Sequence, residues 1–353
     1  MRSRLSSAVF RLPIERIRDG YYSDNYFNLT KQLLEEEGRR PRAVVQVFQK
    51  HDSLLGGIDE AIAVLRECAG ERAGDGVWRS GWDEIEVRAL YEGDQIEPFE
   101  PVLEIEGDYA LFAHLETVYL GCLARRSLVM RNVRAVVEAA RGKPIWFFPA
   151  RHDHWLVQTG DGWAAHVAGA IGVSTDAQAS WWGGRGMGTV PHGLIAAYGG
   201  DTVAAARAFA DRYASDMNVT VLVDFVNDSV RTALDVAAAL GDDLWGVRLD
   251  TSEGLEDPRG GGPGVTPELV HAVRAALDGA GHDAVHIAVS GGFTVEKIDA
   301  FESAGVPVDA YGIGSSLLRG ANDFTADVVE VDGKPCAKVG RGRREASRLD
   351  RVT

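Results

Sequence analysis

From residue 144 onward, short uninterrupted apolar runs alternate with stretches of helical periodicity. Ile145-Trp146-Phe147-Phe148, Val219-Thr220-Val221-Leu222-Val223, Leu244-Trp245-Gly246-Val247, Val285-His286-Ile287-Ala288-Val289 and Ala310-Tyr311-Gly312-Ile313 read as strands. Helical patterns over 201–213, 229–240, 266–279 and 295–305 lie between them, and 166–172 reads as an apolar helix-to-loop segment. Strands that are apolar on both faces and alternate with helices imply parallel pairing under two helical layers, so the pattern predicts either an α/β barrel or a doubly wound sheet. The preceding chain is different. Residues 42–50 predict a strand and 57–68 a helix, while 24–30 open another helix with Asp24 in the N-cap position. Over 82–106, apolar pieces are broken by Glu92-Gly93-Asp94 and Glu97-Pro98, which predicts a small β-rich unit. A long helix is expected over 111–140, with Leu115, Val118, Tyr119 and Cys122 on its apolar face, and the first domain should end near it.

Hydrophobic content of 45% and charged content of 25% in 353 residues suit a globular protein of two domains, or of a barrel with an appended domain. No run is apolar for long enough to span a bilayer and no apolar core follows Met1-Arg2-Ser3-Arg4, so a cytoplasmic protein without membrane association is expected. The formal charge of −15 argues against nucleic acid as a partner. Cys68, Cys122 and Cys336 are odd in number and far apart, which predicts free thiols and no structural metal site. Arg341-Gly342-Arg343-Arg344 reads as a solvated tail.

The polar residues change the picture by their position. Arg151, Asp224, Arg248 with Asp250, Ser290-Gly291-Gly292 and Gly312-Ile313-Gly314-Ser315-Ser316 each stand at or just after a strand's carboxyl end, the face on which α/β barrels build their sites. The last two are glycine-rich turns expected to lead into helices, where free N–H groups attract anions, so a phosphate-bearing ligand is expected. In Gly188-Thr189-Val190-Pro191-His192-Gly193, glycines and a proline present a histidine at a loop-to-helix junction.

Taken together these motifs resemble the nicotinate phosphoribosyltransferase family in its short form, from about residue 24 to residue 338. Asp24-Asn25-Tyr26 is similar to the family's entry helix and Phe148-Pro149-Ala150-Arg151 to its Phe-Gly-x-Arg turn, with Pro149 in place of glycine. Gly188-Thr189-Val190-Pro191-His192 and Gly246-Val247-Arg248-Leu249-Asp250 match further motifs, and Ser290-Gly291-Gly292 and Gly312-Ile313-Gly314 the phosphate loops. The resemblance implies an irregular α/β barrel of the type II phosphoribosyltransferase kind over 113–320, beside an α+β domain of 1–112 completed by 321–353. Val328 to Val339 would form a hairpin around Asp332-Gly333. It also implies transfer from phosphoribosyl pyrophosphate to nicotinate, giving nicotinate mononucleotide for NAD biosynthesis, with magnesium and with ATP as co-substrate. By the same resemblance Tyr26, given across a homodimer interface, and Phe148 would sandwich the pyridine, with Asp24 beside Tyr26. Arg151 would hold the carboxylate, Asp250 the ribose hydroxyls, Arg248 a phosphate, and Lys50 the pyrophosphate. Ser290, Gly291, Gly292, Gly312, Gly314 and Ser315 would cradle the 5′-phosphate. His192 would be phosphorylated by ATP, with Asp224 orienting its ring.

Ser174 stands where amide-using relatives have an aspartate that repels a carboxylate, which favours the acid over nicotinamide; Asp176 two residues on would reverse this under a shifted alignment. Quinolinate with decarboxylation, a sugar-phosphate barrel enzyme of other chemistry and a non-catalytic sensor are the alternatives.

Overall fold

The computed structural model describes residues 2–352. Its main strands are β1 (Arg42–Phe48), β2 (Ile85–Ala89), β3 (Leu103–Asp108), β4 (Ile145–Phe147), β5 (Gly172–Val173), β6 (Val219–Leu222), β7 (Leu244–Leu249), β8 (His286–Val289), β9 (Ala310–Ile313), β10 (Thr325–Val331), β11 (Lys334–Pro335) and β12 (Asp350–Arg351). The chain forms two compact units, Met1–Arg131 with Gly320–Thr353, and Asn132–Arg319. The division falls inside the helix Glu116–Ala139 rather than at 112/113, since nothing in that helix's periodicity marks where its neighbours change.

The first unit is an antiparallel sheet in the order β11-β10-β1-β3-β2-β12. β1 is buried from Ala43 to Phe48, and the helix Ile58–Cys68 sets Ile58, Ala61, Ile62 and Leu65 at helical spacing into a core with Val45, Val47, Leu103 and Ile105. Asp332 and Gly333 both take positive φ (50° and 74°) and join β10 to β11 as a two-residue hairpin turn. Two sequence expectations are corrected in this unit. Asp24 is placed as N-cap of the helix Asn25–Glu36, but its carboxylate takes no backbone N–H of that helix; it accepts from the Thr117 hydroxyl at 2.9 Å. The basic run is not a solvated tail. Arg343 pairs with Glu330 and the buried Glu104, Arg341 pairs with Asp327, and the Arg344 N–H donates to the buried Gln46, so carboxylates contributed by distant strands hold what looked locally like free charge.

The second unit is the α/β barrel. Its six strands are all parallel, in the order β6-β7-β8-β9-β4-β5, and nearly every residue in them is buried. The gap between β5 and β6 is spanned by residues 187–190: the Met187 N–H donates to Val173, the Val190 N–H donates to Thr220, and Val190 bridges Val221 in parallel. The glycine-rich stretch therefore closes the barrel. The helices Gln158–Ala168, Thr202–Tyr213, Ser229–Leu240, Pro267–Gly279 and Val295–Ser303 cover the sheet, the last four capped by Asp201, Asp228, Thr266 and Thr294 side chains. Among the described residues no helix is long and apolar enough to cross a membrane.

Gly162 faces the Gln178 backbone so closely that a Cβ there would overlap it. Gly162→Ala is expected to lower the unfolding free energy by about 1–3 kcal/mol through overpacking, seen as a lower urea midpoint. An unchanged midpoint would mean that the two helices separate freely.

Candidate active site

The carboxyl ends of the barrel strands open into a cleft of about 830 Å³, within the range of small-molecule sites. Every lining residue belongs to the second unit. Phe148, Arg151, Ser174, His192, Arg248, Asp250, Ser290, Gly291, Gly292, Gly312, Gly314 and Ser315 are brought together here. Asp224 does not line the cleft but touches His192. Tyr26, Asp24 and Lys50 lie in the first unit and are not among the lining residues.

At the centre is Arg248, near the end of β7. Its Nε donates to Ser290 Oγ at 2.8 Å, its Nη1 to Thr189 Oγ1 at 3.1 Å, and its Nη2 lies 3.5 Å from Asp250 Oδ2. Ser290 Oγ in turn donates to Asp250 Oδ1 at 2.6 Å. The guanidinium also stands 5.4 Å from the Phe148 ring centroid, a cation–π contact. Burial pulls its pKa below the usual arginine range while Asp250 opposes the shift, and an arginine keeps its charge throughout. Arg248 thus ties the barrel-closing segment, the end of β7 and the loop after β8 to one point.

His192 is the first residue of the short helix His192–Ala197. Its Nε2 lies 2.9 Å from Asp224 Oδ1, just past β6, which leaves Nδ1 for other partners. Burial raises the Asp224 pKa and the bond to His192 opposes it, the balance of a carboxylate held to orient an imidazole.

The two glycine loops have the geometry their glycines require. Gly291 and Gly292 take φ of 81° and 69°, and the Glu253 carboxylate lies against Gly292 where a side chain would stand. The turn leads into the helix Val295–Ser303. Gly312 admits the Phe148 ring, since a Cβ would come within 3.0 Å of it. Ser316 Oγ donates to the Phe293 carbonyl at 2.9 Å and fastens one loop to the other. Ser174, on the opposite wall, has its hydroxyl and N–H on Gln178 Oε1, both at 3.0 Å. Its hydroxyl is thereby held by the protein.

The sequence reading did not assign His152, Glu253 or Arg319, which complete the lining. Arg319 follows the turn Ser315–Leu318 and makes no ion pair among the described residues. None of the three belongs to a local motif, because each reaches the cleft from a loop. The result is a cleft with cations at Arg151, Arg248 and Arg319, carboxylates at Asp250 and Glu253, an aromatic wall at Phe148 and two loops of free N–H groups. Such a set can hold phosphate, ribose hydroxyls and a planar anion side by side.

Comparison with known proteins agrees with this geometry. A profile described as the N-terminal domain of quinolinate phosphoribosyl transferase matches residues 24–127. A solved nicotinate-nucleotide pyrophosphorylase from Pyrococcus furiosus is 33% identical, covers 96% of this chain and 84% of its own, and superposes with a TM-score of 0.80. A nicotinate phosphoribosyltransferase of Mycobacterium tuberculosis is 33% identical over 283 residues. The chain belongs to the nicotinate phosphoribosyltransferase family. The chain spans about 60% of the length of the mycobacterial relative, in a match that takes in 76% of this chain. The structure of human nicotinic acid phosphoribosyltransferase, at 19% identity, shares the fold over 91% of this chain and 77% of its own, with a TM-score of 0.68.

Arg248→Leu is expected to leave Asp250 without its cation in a partly buried position and to cost about 2–3 kcal/mol, less than a fully buried pair. Denaturant unfolding of the variant checks this. Stability equal to wild type would show that the network is not what holds the three segments.

Proposed function

We propose that this chain transfers a phosphoribosyl group from phosphoribosyl pyrophosphate to nicotinate, forming nicotinate mononucleotide and pyrophosphate. The observation that carries the proposal is the Arg248–Asp250–Ser290 network, flanked on one side by two joined glycine loops and on the other by the His192–Asp224 pair. In the transfer the pyridine nitrogen forms a bond to the anomeric carbon as the bond to pyrophosphate breaks, and the electron pair leaves with pyrophosphate. Positive charge on the sugar then lies near Asp250, whose carboxylate is fixed by Ser290 and Arg248 before substrate arrives, so little reorganisation is needed. The glycine loops bind the 5′-phosphate through their N–H groups. Phe148 stacks on the pyridine, and Arg151 holds its carboxylate by charge-assisted bonds.

Magnesium enters as part of the pyrophosphate substrate. The residues present fit it, since Asp250 and Glu253 offer hard oxygens in the cleft and a magnesium ion that keeps water and phosphate ligands needs only one or two carboxylates. It neutralises charge on the leaving group. ATP would be the second co-substrate, its γ-phosphoryl group passing to His192 as the bond to adenosine diphosphate breaks, a reading supported by the Asp224 contact that occupies Nε2 and leaves Nδ1 for the transfer. The working form is a homodimer. The helix Asn25–Glu36 buries none of its residues, and Tyr26, Leu29 and Leu33 are each more than half exposed along it, an apolar strip suited to a second copy.

Quinolinate is the second reading, favoured by the family profile over residues 24–127 and by the three cleft arginines, which would suit a dicarboxylate. Arg248 is committed to the protein's own groups, which favours the monocarboxylate.

Arg151→Ala is expected to weaken nicotinate binding by about 2–4 kcal/mol while the Michaelis constant for phosphoribosyl pyrophosphate changes little. An unchanged constant for nicotinate would remove Arg151 from the pyridine site. With γ-labelled ATP, acid-labile and base-stable label is expected on the wild type and not on His192→Ala, which should keep slow ATP-independent transfer. Stimulation by ATP persisting in His192→Ala would end the coupling proposal. Mixing Tyr26→Ala and Asp250→Ala subunits should restore about a quarter of all sites, because each heterodimer has one intact composite site; no recovery would make each chain self-sufficient.

A further inference from the structure

His152 ends the single turn Ala150–His152 after β4, and its side chain lines the cleft next to Arg151. The imidazole is set against Gly314, so that a Cβ there would stand 2.8 Å from Cε1 and 3.3 Å from Nδ1. The ring therefore forms a wall of the glycine loop that ends in Ser315 and Ser316. His152 is exposed to solvent, and neither ring nitrogen has a hydrogen-bond partner among the described residues. The charged and titratable groups sharing the cleft with it are Arg151 on its own turn, Arg319 beyond the Gly314 loop, Arg248, Asp250 and Glu253 at and after the end of β7, and His192 at the start of its helix.

An imidazole beside Arg151, which makes no ion pair among the described residues, is a poor place for a further proton while the cleft is empty. Burial, and then the Arg151 charge, hold the pKa of His152 below the ordinary histidine value. A dianion beside the ring reverses the balance, because it offers an acceptor to Nδ1 or Nε2 and a charge that favours the imidazolium.

We propose that His152 is a proton-coupled wall of the phosphate subsite: a phosphate monoester dianion seated on Gly314-Ser315 draws one proton from solvent onto the imidazole, which selects dianionic over less charged groups at that position. This rests on the reading above that the glycine loops hold a phosphate. The balance is simple. One proton passes from solvent to a ring nitrogen, and no other bond is made or broken. Below the pKa of the empty site the ring is already charged and nothing is taken up. Above the pKa of the filled site the dianion binds without the proton and more weakly. Between them affinity rises as pH falls, by up to ten-fold for each unit separating the two.

The test is calorimetric titration of the full chain with ribose 5-phosphate at pH 7.5, in two buffers of different ionisation enthalpy. A phosphate monoester is almost wholly dianionic there, its second pKa being about 6, so the ligand brings little proton of its own. Net proton uptake is expected for the wild type, with affinity falling roughly ten-fold between pH 6.5 and 8.5. His152→Gln should bind several-fold more weakly, without uptake and with a flat profile over this range. His152→Arg carries a permanent charge and should recover the affinity, again without uptake. Uptake unchanged in His152→Gln, or His152→Arg no better than His152→Gln, overturns the proposal while leaving the phosphate reading in place. Failure of ribose 5-phosphate to bind the wild type at all overturns both.

Discussion

A guanidinium taken out of water must be paired, and that requirement at Arg248 organises the barrel's open end. Its partners come from three separate places, Thr189 on the closing segment, Asp250 just past its own strand and Ser290 after the next. Satisfying one cation therefore fixes the mutual positions of the segment that leads to His192, the Asp250 carboxylate and the first glycine loop. Removing one partner of a buried charge costs more than the pair contributes net. Each partner is accordingly held by the others, and the cleft is organised before any ligand enters.

Backbone geometry supplies the second constraint. A six-stranded parallel sheet of strands this short leaves a gap, and residues 187–190 fill it with only a few backbone bonds. In the run of glycines before His192, Gly188 faces open space, whereas Gly183 takes positive φ and Gly186 lies against the Thr175 backbone with no room for a Cβ. Gly292, Gly312 and Gly314 meet the same condition in another way, each leaving space that Glu253, Phe148 or His152 occupies.

The barrel was legible in the sequence because its signal is local: Val219–Leu222, Leu244–Leu249, His286–Val289 and Ala310–Ile313 are apolar runs that admit few other readings. The strand-end residues were legible for the same reason, being adjacent in sequence to those runs. Partnerships were not. Thr189 meets Arg248 across 59 residues and Arg248 meets Ser290 across 42, and no periodicity encodes such pairs. Arg343 looked solvated because Glu104, its buried partner, lies on a strand 239 residues away. Asp24 occupied the position expected of a cap while its carboxylate bonded Thr117, since a side chain at a helix start chooses between local N–H groups and tertiary donors. Glu253 and Arg319 escaped notice as residues outside any motif, and His152, next to the Phe148–Arg151 motif, was given no role; all three share in the charge pattern of the cleft.

The proposed phosphoribosyl transfer to a pyridine acid rests on family membership and cleft geometry together, and the cleft wall bears on which acid. Phe148 offers a ring face and Arg151 a cation free of the Arg248 network, a combination matched to one carboxylate on a planar ring. The most direct measurement incubates the protein with magnesium and phosphoribosyl pyrophosphate and with nicotinate, nicotinamide or quinolinate in turn, with and without ATP, and identifies the product by mass. Nicotinate mononucleotide formed from nicotinate, faster with ATP and with little product from the other two, is the expected result. Product from quinolinate with release of carbon dioxide and none from nicotinate would contradict it.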